Sequence, residues 1–421
     1  MLLAAIALLL PARMPGELGA YLRKPDRSYS VQAPASKGPI QEFRMTSQTW
    51  KGTPWEHLVL FNPGAEDAGD LAILFVTGDG PRDGDRLQLQ LLAGATKMPI
   101  AMLFSVPNQP IYGMREDDLI AHTFEKYLET GDAEWPLLFP MAKSAIRAMD
   151  AVQAVAKKSG RTIKRFLVTG ASKRGWTSWL AGASGDRRVA GIAPMVIDNL
   201  NIPAQMKGQL AAWGEYSPMI QDYTRRGLQA KMDTPRGRKL TAMVDPYSYR
   251  SGIRVPTLIV NGANDPYWTV NALSNYWDGL SMQRWVRVVP NVGHDLGGGA
   301  QAAETIGAFA RHLAGKHAFP TMATQIRRTE TGLAADAQIA RLQADSITLW
   351  VASSVTTDFR RSQWVRAATA DLAKPRDVPV QKGNLKAEFA GEPMKRAALV
   401  EARFTVDGRS FSLTSPVTVF R

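Results

Sequence analysis

The chain has 421 residues, 45% of them hydrophobic, with 51 Lys and Arg against 38 Asp and Glu, a formal charge of +13 and no cysteine. This describes a globular protein long enough for two domains, and the lack of cysteine excludes disulfides, thiolate catalysis and Cys-ligated metal sites. The charge predicts a basic surface suited to an anionic envelope surface, but the Arg pairs at 187–188, 225–226, 327–328 and 360–361 are dispersed and none belongs to an aromatic-rich nucleic-acid motif, so a solvated surface is the simpler reading.

In chain order, the apolar run Leu2 to Leu10 comes first, followed by Pro11-Ala12-Arg13. It is too short to span a bilayer and reads as a signal segment over residues 1–12, although no Lys or Arg precedes it. A signal implies a periplasmic or secreted protein; without one the protein is cytoplasmic. No other run approaches the ~20 residues a membrane-spanning helix needs, so no stable span is expected.

A β region from Ile40 to Phe61, containing His57, precedes two apolar strand-like runs, Leu71 to Val76 and Pro99 to Phe104. The first leads into the loop Gly78-Asp79-Gly80. Helical spacing follows over Asp118 to Leu128, which holds His122, and over Met141 to Lys157, which ends in a basic turn before Gly160. The triplet Glu116-Asp117-Asp118 reads as favourable charge on a helix dipole. No histidine-rich or Asp-x-Asp-x-Asp spacing supports a metal site, and no cofactor motif is present.

The apolar run Phe166 to Thr169 ends at Gly170-Ala171-Ser172-Lys173-Arg174-Gly175-Trp176, and a helix-like segment follows. This has the form of a nucleophile elbow, a tight strand-to-helix turn that holds a serine hydroxyl above the sheet. The usual G-x-S-x-G spacing would put glycine at 174; here it falls at 175. Val196-Ile197-Asp198 ends another strand and offers a rival acid. From about 199 to 249 the strand series is interrupted by a lid-like stretch holding Met206, Trp213, Tyr216, Met219, Tyr223 and Met232, which reads as a pocket wall. Asp245, before Pro246, reads as a turn residue.

Val255 to Asn261 reads as a buried strand leading to Asp265, and Trp285 to Val289 as another leading to His294. The helix-like Gly298 to Leu313 comes next, with His312 and His317 suited to its C-terminal dipole. Beyond about Phe319 the pattern becomes strands alone. Ile347 to Val351, Leu385 to Phe389 and Val417 to Phe420 alternate, and Asp407-Gly408 marks a tight hairpin.

Serine, acid and histidine thus end three strand-like runs in the order used by α/β-hydrolases. The expected architecture is that fold over residues 13–318, a mostly parallel sheet with helices on both faces and a lid, plus a C-terminal β-sandwich of immunoglobulin or fibronectin type over 319–421. Ser172 is the expected nucleophile, His294 the base and then acid, and Asp265 the group that orients it. Backbone N–H groups of Lys173 and of the Gly78-Asp79 loop are the expected oxyanion donors.

The stretches Trp135 to Met141, Ala145 to Asp150, Gly170 to Trp176, Val244 to Tyr249 and Asn261 to Pro266 resemble the bacterial PhoPQ-activated pathogenicity-related proteins, and the resemblance runs from about Tyr21 to near the C-terminus. It implies an α/β-hydrolase relative, a signal peptide in many members, and a link to virulence and antimicrobial-peptide resistance. The family's elbow has the same S-K-R-G form, so Arg174 is a family trait. The family name records regulation, and chemistry rests on the residues. They support a serine hydrolase cleaving an ester or amide bond of a small molecule or peptide, with a catalytically silent binding or signalling protein as the alternative.

Overall fold

The computed structural model describes residues 16–65, 69–82, 84–372, 379–389 and 394–420, so the expected signal segment lies outside the described residues. Eight strands form the centre: β1 (Ile40–Trp50), β2 (Thr53–Asn62), β3 (Leu71–Val76), β4 (Ile100–Leu103), β5 (Arg165–Ala171), β6 (Val189–Met195), β7 (Thr257–Gly262) and β8 (Arg284–Val289). Their hydrogen-bonded order is β1-β2-β4-β3-β5-β6-β7-β8. β1, β2 and β4 pair antiparallel, and every pairing from β4 to β8 is parallel.

The parallel strands are mostly apolar because both faces are covered. Along β3, Ala72, Leu74 and Val76 enter one apolar cluster while Leu71 and Ile73 enter the other. The helices Leu138–Lys158 and Lys173–Ala183 supply the first cluster, and Asp85–Thr96 and Ala300–Leu313 the second. Helix Leu138–Lys158 starts three residues before the position its spacing predicts, with Pro140 in its first turn. Proline is tolerated there because the first N–H groups of a helix have no intrahelical acceptor. Among the described residues no helix is long and apolar enough to cross a membrane.

The C-terminal strands differ from the self-contained unit expected after residue 319. Arg409–Thr414 pairs antiparallel with β8 at Val286 and Thr414, so the central sheet runs on into Lys395–Val406, Ser346–Ser354 and Trp364–Asp371. A second sheet holds Thr321–Arg328, Gly332–Ala340 and Val380–Glu388. Its Leu333, Ile339 and Leu385 share one cluster with Leu349 and Val400 and also with Leu258 and Phe309 of the parallel region. Phe319, at the expected boundary, is fully buried and touches Trp285, Phe309 and Phe411, stacking on the last at 5.4 Å. An apolar ring placed at the change of pattern joins the two regions. The hairpin at Asp407-Gly408 takes positive φ at both residues, 50° and 71°, as the Asp-Gly pair dictates.

Candidate active site

The carboxyl ends of β5, β7 and β8 lead into the three loops that carry the expected residues. After β5, Ser172 takes φ 57° and ψ −127°, a conformation that costs a non-glycine residue roughly 1–3 kcal/mol. Its N–H donates to the Met195 carbonyl at the end of β6, 2.9 Å away. A Cβ on Gly170 would sit 2.8 Å from the Val76 carbonyl oxygen, and one on Gly175 2.8 Å from that of Met195. The close crossing therefore falls at Gly175, within the first turn of the helix. Position 174 is left free for a long side chain that leaves sideways: the Arg174 guanidinium forks onto Glu116 and donates to the Val106 carbonyl.

After β7, Asp265 accepts from the Tyr267 N–H through Oδ1 and lies 2.8 Å from His294 Nδ1 through Oδ2. Asp265 is buried and the His294 side chain is 25% exposed. The Tyr267 ring stacks on the imidazole at 4.1 Å. Both loops are tied to the C-terminal strands. Asn264 Nδ2 donates to the carbonyls of Phe359, Arg360 and Ser362, the last at 2.7 Å. Asn291 exchanges two hydrogen bonds with the backbone of Trp364.

Ser172 and His294 line one cavity of about 890 Å³, its open mouth included. Among the described residues no hydrogen bond joins Ser172 Oγ to His294. Much of the wall comes from the helical segment between β6 and β7, including Ile202, Met206, Tyr223 and Leu240; of the other bulky residues expected there, Met232 lines the cavity, Met219 is exposed, and Trp213 instead stacks under Arg360.

Lys173 also lines the cavity, and its buried ammonium lies 2.9 Å from Glu116 and 2.8 Å from Asp117. Burial alone would lower the Lys173 pKa, but the two carboxylates raise it, so the cation persists. Burial would likewise raise Glu116, yet Arg174 and Lys173 hold it down at about 2. Reading Glu116-Asp117-Asp118 as helix-dipole charge is therefore incomplete. The triplet does start the helix Glu116–Thr130, but Glu116 and Asp117 pair with the residues after the serine, and Asp118 pairs with Arg225 and Arg226. The signal was available: a lysine and an arginine inside a buried elbow need counter-charges.

Of the expected oxyanion donors, Lys173 begins the helix, where the N–H has no intrahelical acceptor. Gly78 and Asp79 are not in the cavity wall. Gly78 packs so closely on the Arg174 guanidinium that a Cβ would come within 2.6 Å of it, and the Asp79 carboxylate is held by Gln109 and Arg115. The rival acid Asp198 bonds the Tyr276 hydroxyl at 2.5 Å, away from the histidine, and burial with nearby Asp265 pushes its pKa up to about 7 despite that bond. Asp245 does more than begin a turn. It accepts the N–H groups of Asn201, Ile202 and Tyr247, fixing the entry to helix Ile202–Trp213.

A second serine and histidine meet elsewhere, unforeseen in the sequence. Ser47 Oγ lies 2.9 Å from His57 Nε2 and 3.0 Å from Ser144 Oγ, while His57 Nδ1 lies 2.9 Å from the Phe104 carbonyl. All three side chains are buried, and burial pushes the His57 pKa down to about 4 despite its backbone hydrogen bonds.

A sequence model of the PhoPQ-activated pathogenicity-related proteins matches residues 18–360. Autocrine proliferation repressor protein A of Dictyostelium discoideum is 31% identical over 307 residues, 67% of this chain and 61% of that protein, so the match spans less than two thirds of the relative. Among solved structures, acetyl xylan esterase 1 from a Thermoanaerobacterium species superposes with a TM-score of 0.50 at 15% identity, covering 70% of this chain and 92% of that one. An acetyl xylan esterase from a Paenibacillus species gives 0.47 at 17% identity, covering 66% and 86%. The fold is that of the α/β-hydrolases. The chain belongs to the PhoPQ-activated pathogenicity-related family, and the match ends at residue 360, short of the last strands.

Proposed function

We propose that this family member is a serine hydrolase in which Ser172, His294 and Asp265 act together on an ester or amide bond. The observation that carries the reading is the 2.8 Å contact between Asp265 and His294 Nδ1, beside a cavity that the strained Ser172 also lines. With Nδ1 engaged, Nε2 is the nitrogen left to take the serine proton. Ser172 Oγ would then attack the acyl carbonyl, and the buried carboxylate would stabilise the imidazolium that forms. His294 would return the proton to the leaving group, and water would release the acyl group by the same steps in reverse roles. The Lys173 N–H, at the helix start where no intrahelical acceptor exists, is one donor for the developing oxyanion.

The missing Ser172 to His294 hydrogen bond favours a second reading, a binding protein without turnover, although catalytic hydrogen bonds often tighten only in the substrate complex. A fluorophosphonate probe decides between them. Labelling of folded protein that disappears in Ser172→Ala supports the hydrolase; a folded protein inert to the probe establishes the binding reading.

A further inference from the structure

The cavity beside Ser172 has a composition that restricts what can occupy it. Trp176 comes from the helix that starts at the serine and Phe124 from helix Glu116–Thr130, while Ile202, Met206, Leu240 and Val244 come from the segment between β6 and β7. Trp176 Nε1 is already spent on the Val244 carbonyl, 2.6 Å away.

Two of the charged groups in the wall, Asp117 and Lys173, are likewise occupied. Asp117 accepts from Lys173 Nζ and, at 2.9 Å, from the Tyr223 hydroxyl. Lys173 divides its charge between Glu116 and Asp117. A hydroxyl-rich group entering this mostly apolar space would give up water, and the unpartnered polar atoms there, Asn199 Oδ1 and Trp268 Nε1, are buried and too few to replace it. An aliphatic or aromatic group would gain with each methylene removed from water.

We infer that the cavity is the acyl-group site, and that the substrates are esters or amides of apolar acids several carbons long, not acetyl esters. The inference rests on Ser172 being the nucleophile. The acyl side is assigned because the acyl group stays bonded to Ser172 Oγ while the leaving group departs and water enters, so the cavity lined by the serine suits the part that stays. In the first step the Oγ to acyl-carbon bond forms, the bond to the leaving group breaks, and that group takes the proton held by His294. In the second, water gives a proton to His294 while its oxygen bonds the acyl carbon, the Oγ to acyl-carbon bond breaks, and His294 passes the proton to Oγ as the free acid leaves.

The test is a series of p-nitrophenyl esters from acetyl to dodecanoyl, with the intact chain and with Leu240→Phe and Met206→Phe, alongside fluorophosphonate labelling. The leaving group is constant, so differences report the acyl site. A gain of about threefold in kcat/KM per added methylene is expected up to an optimum beyond butanoyl, on the order of 10- to 100-fold over acetyl. At least one narrowing variant should move the optimum to a shorter chain. Labelling at Ser172 with acetyl equal to or better than longer esters would overturn the acyl-site inference and leave the hydrolase reading standing. A chain-length optimum indifferent to both folded variants would place the acyl group elsewhere and overturn it too. No labelling and no turnover of any ester would sink both together.

Discussion

Two serine and histidine pairs stand out among the described residues, and the one that is hydrogen-bonded is the less suited to chemistry. Ser47 and His57 are 2.9 Å apart, yet both are buried, no carboxylate bonds the ring, and the second ring nitrogen faces a carbonyl. Burial holds His57 neutral, with its pKa pushed down to about 4, and keeps it from solvent. Ser172 and His294 lack a direct hydrogen bond but share a cavity, and Asp265 supports the ring. Activation depends on access, on a partner for the imidazolium and on a backbone that projects the hydroxyl; proximity supplies none of these.

The largest expected effect separates the two pairs directly. Ser172→Ala should lower turnover by roughly 10⁴ to 10⁶ while leaving the melting temperature nearly unchanged. Ser47→Ala should leave kcat/KM per folded molecule unchanged and cost about 1–3 kcal/mol of stability, because the buried His57 Nε2 loses its partner. Kinetics and thermal melts on both proteins check this, and interchanged results would reverse the assignment.

The two acids give the next contrast. Asp265→Asn should cost on the order of 10⁴ in kcat, whereas Asp198→Asn, bonded to Tyr276 and not to His294, should stay within about threefold of the parent. A larger loss in Asp198→Asn would move the orienting role to that residue.

A smaller loss is expected from the joint with the C-terminal strands. Asn264→Ala removes three donations to the 359–362 backbone beside Asp265, and a misplaced carboxylate should cost roughly 10- to 100-fold in kcat with fluorophosphonate labelling slowed in proportion. Loss of stability with unchanged kcat would make the joint structural only.

The smallest effect concerns pH. Between about 4 and 6.5 unfolded His57 binds a proton that the folded residue refuses, so its contribution falls as pH drops through that window. Asp198, raised to about 7, and Asp245, raised to about 6 by burial against its backbone hydrogen bonds, work the other way: folded, they keep protons that the unfolded chain has released. The test is therefore a difference between parent and His57→Gln. Denaturant unfolding at pH 7.5 and 4.5 should show the parent losing more stability on acidification than the variant; parallel losses would mean that His57 is not held neutral.

Much of this arrangement is legible in the sequence because the informative residues sit at the ends of apolar runs. Ser172, Asp265 and His294 each follow a strand whose both-face burial makes it easy to find, and Asp407-Gly408 announces its own turn. The offset glycine at 175 is puzzling on paper and simple in space, since the crossing against Met195 occurs within the first helical turn. The acidic triplet misleads because a helix start explains it locally, and only the three-dimensional approach of Lys173 and Arg174 reveals the pairing. The joints from Asn264 and Asn291 leave no local pattern. They join side-chain amides to carbonyls some 70 to 98 positions along the chain, and nothing in either segment marks the other.

The family match stops at Arg360, inside the loop whose carbonyls hold Asn264. The unit that sequence similarity recognises and the unit that carries mechanical load therefore differ. A chain cut at that limit would keep every residue assigned a chemical role here, yet it would lose Ser362 and Trp364 as anchors, strip β8 of its neighbour at Thr414 and bare the ring of Phe319. An open edge strand beside uncovered apolar surface invites self-association, so the described strands after Arg360 act as a buttress for the two loops that carry Asp265 and His294.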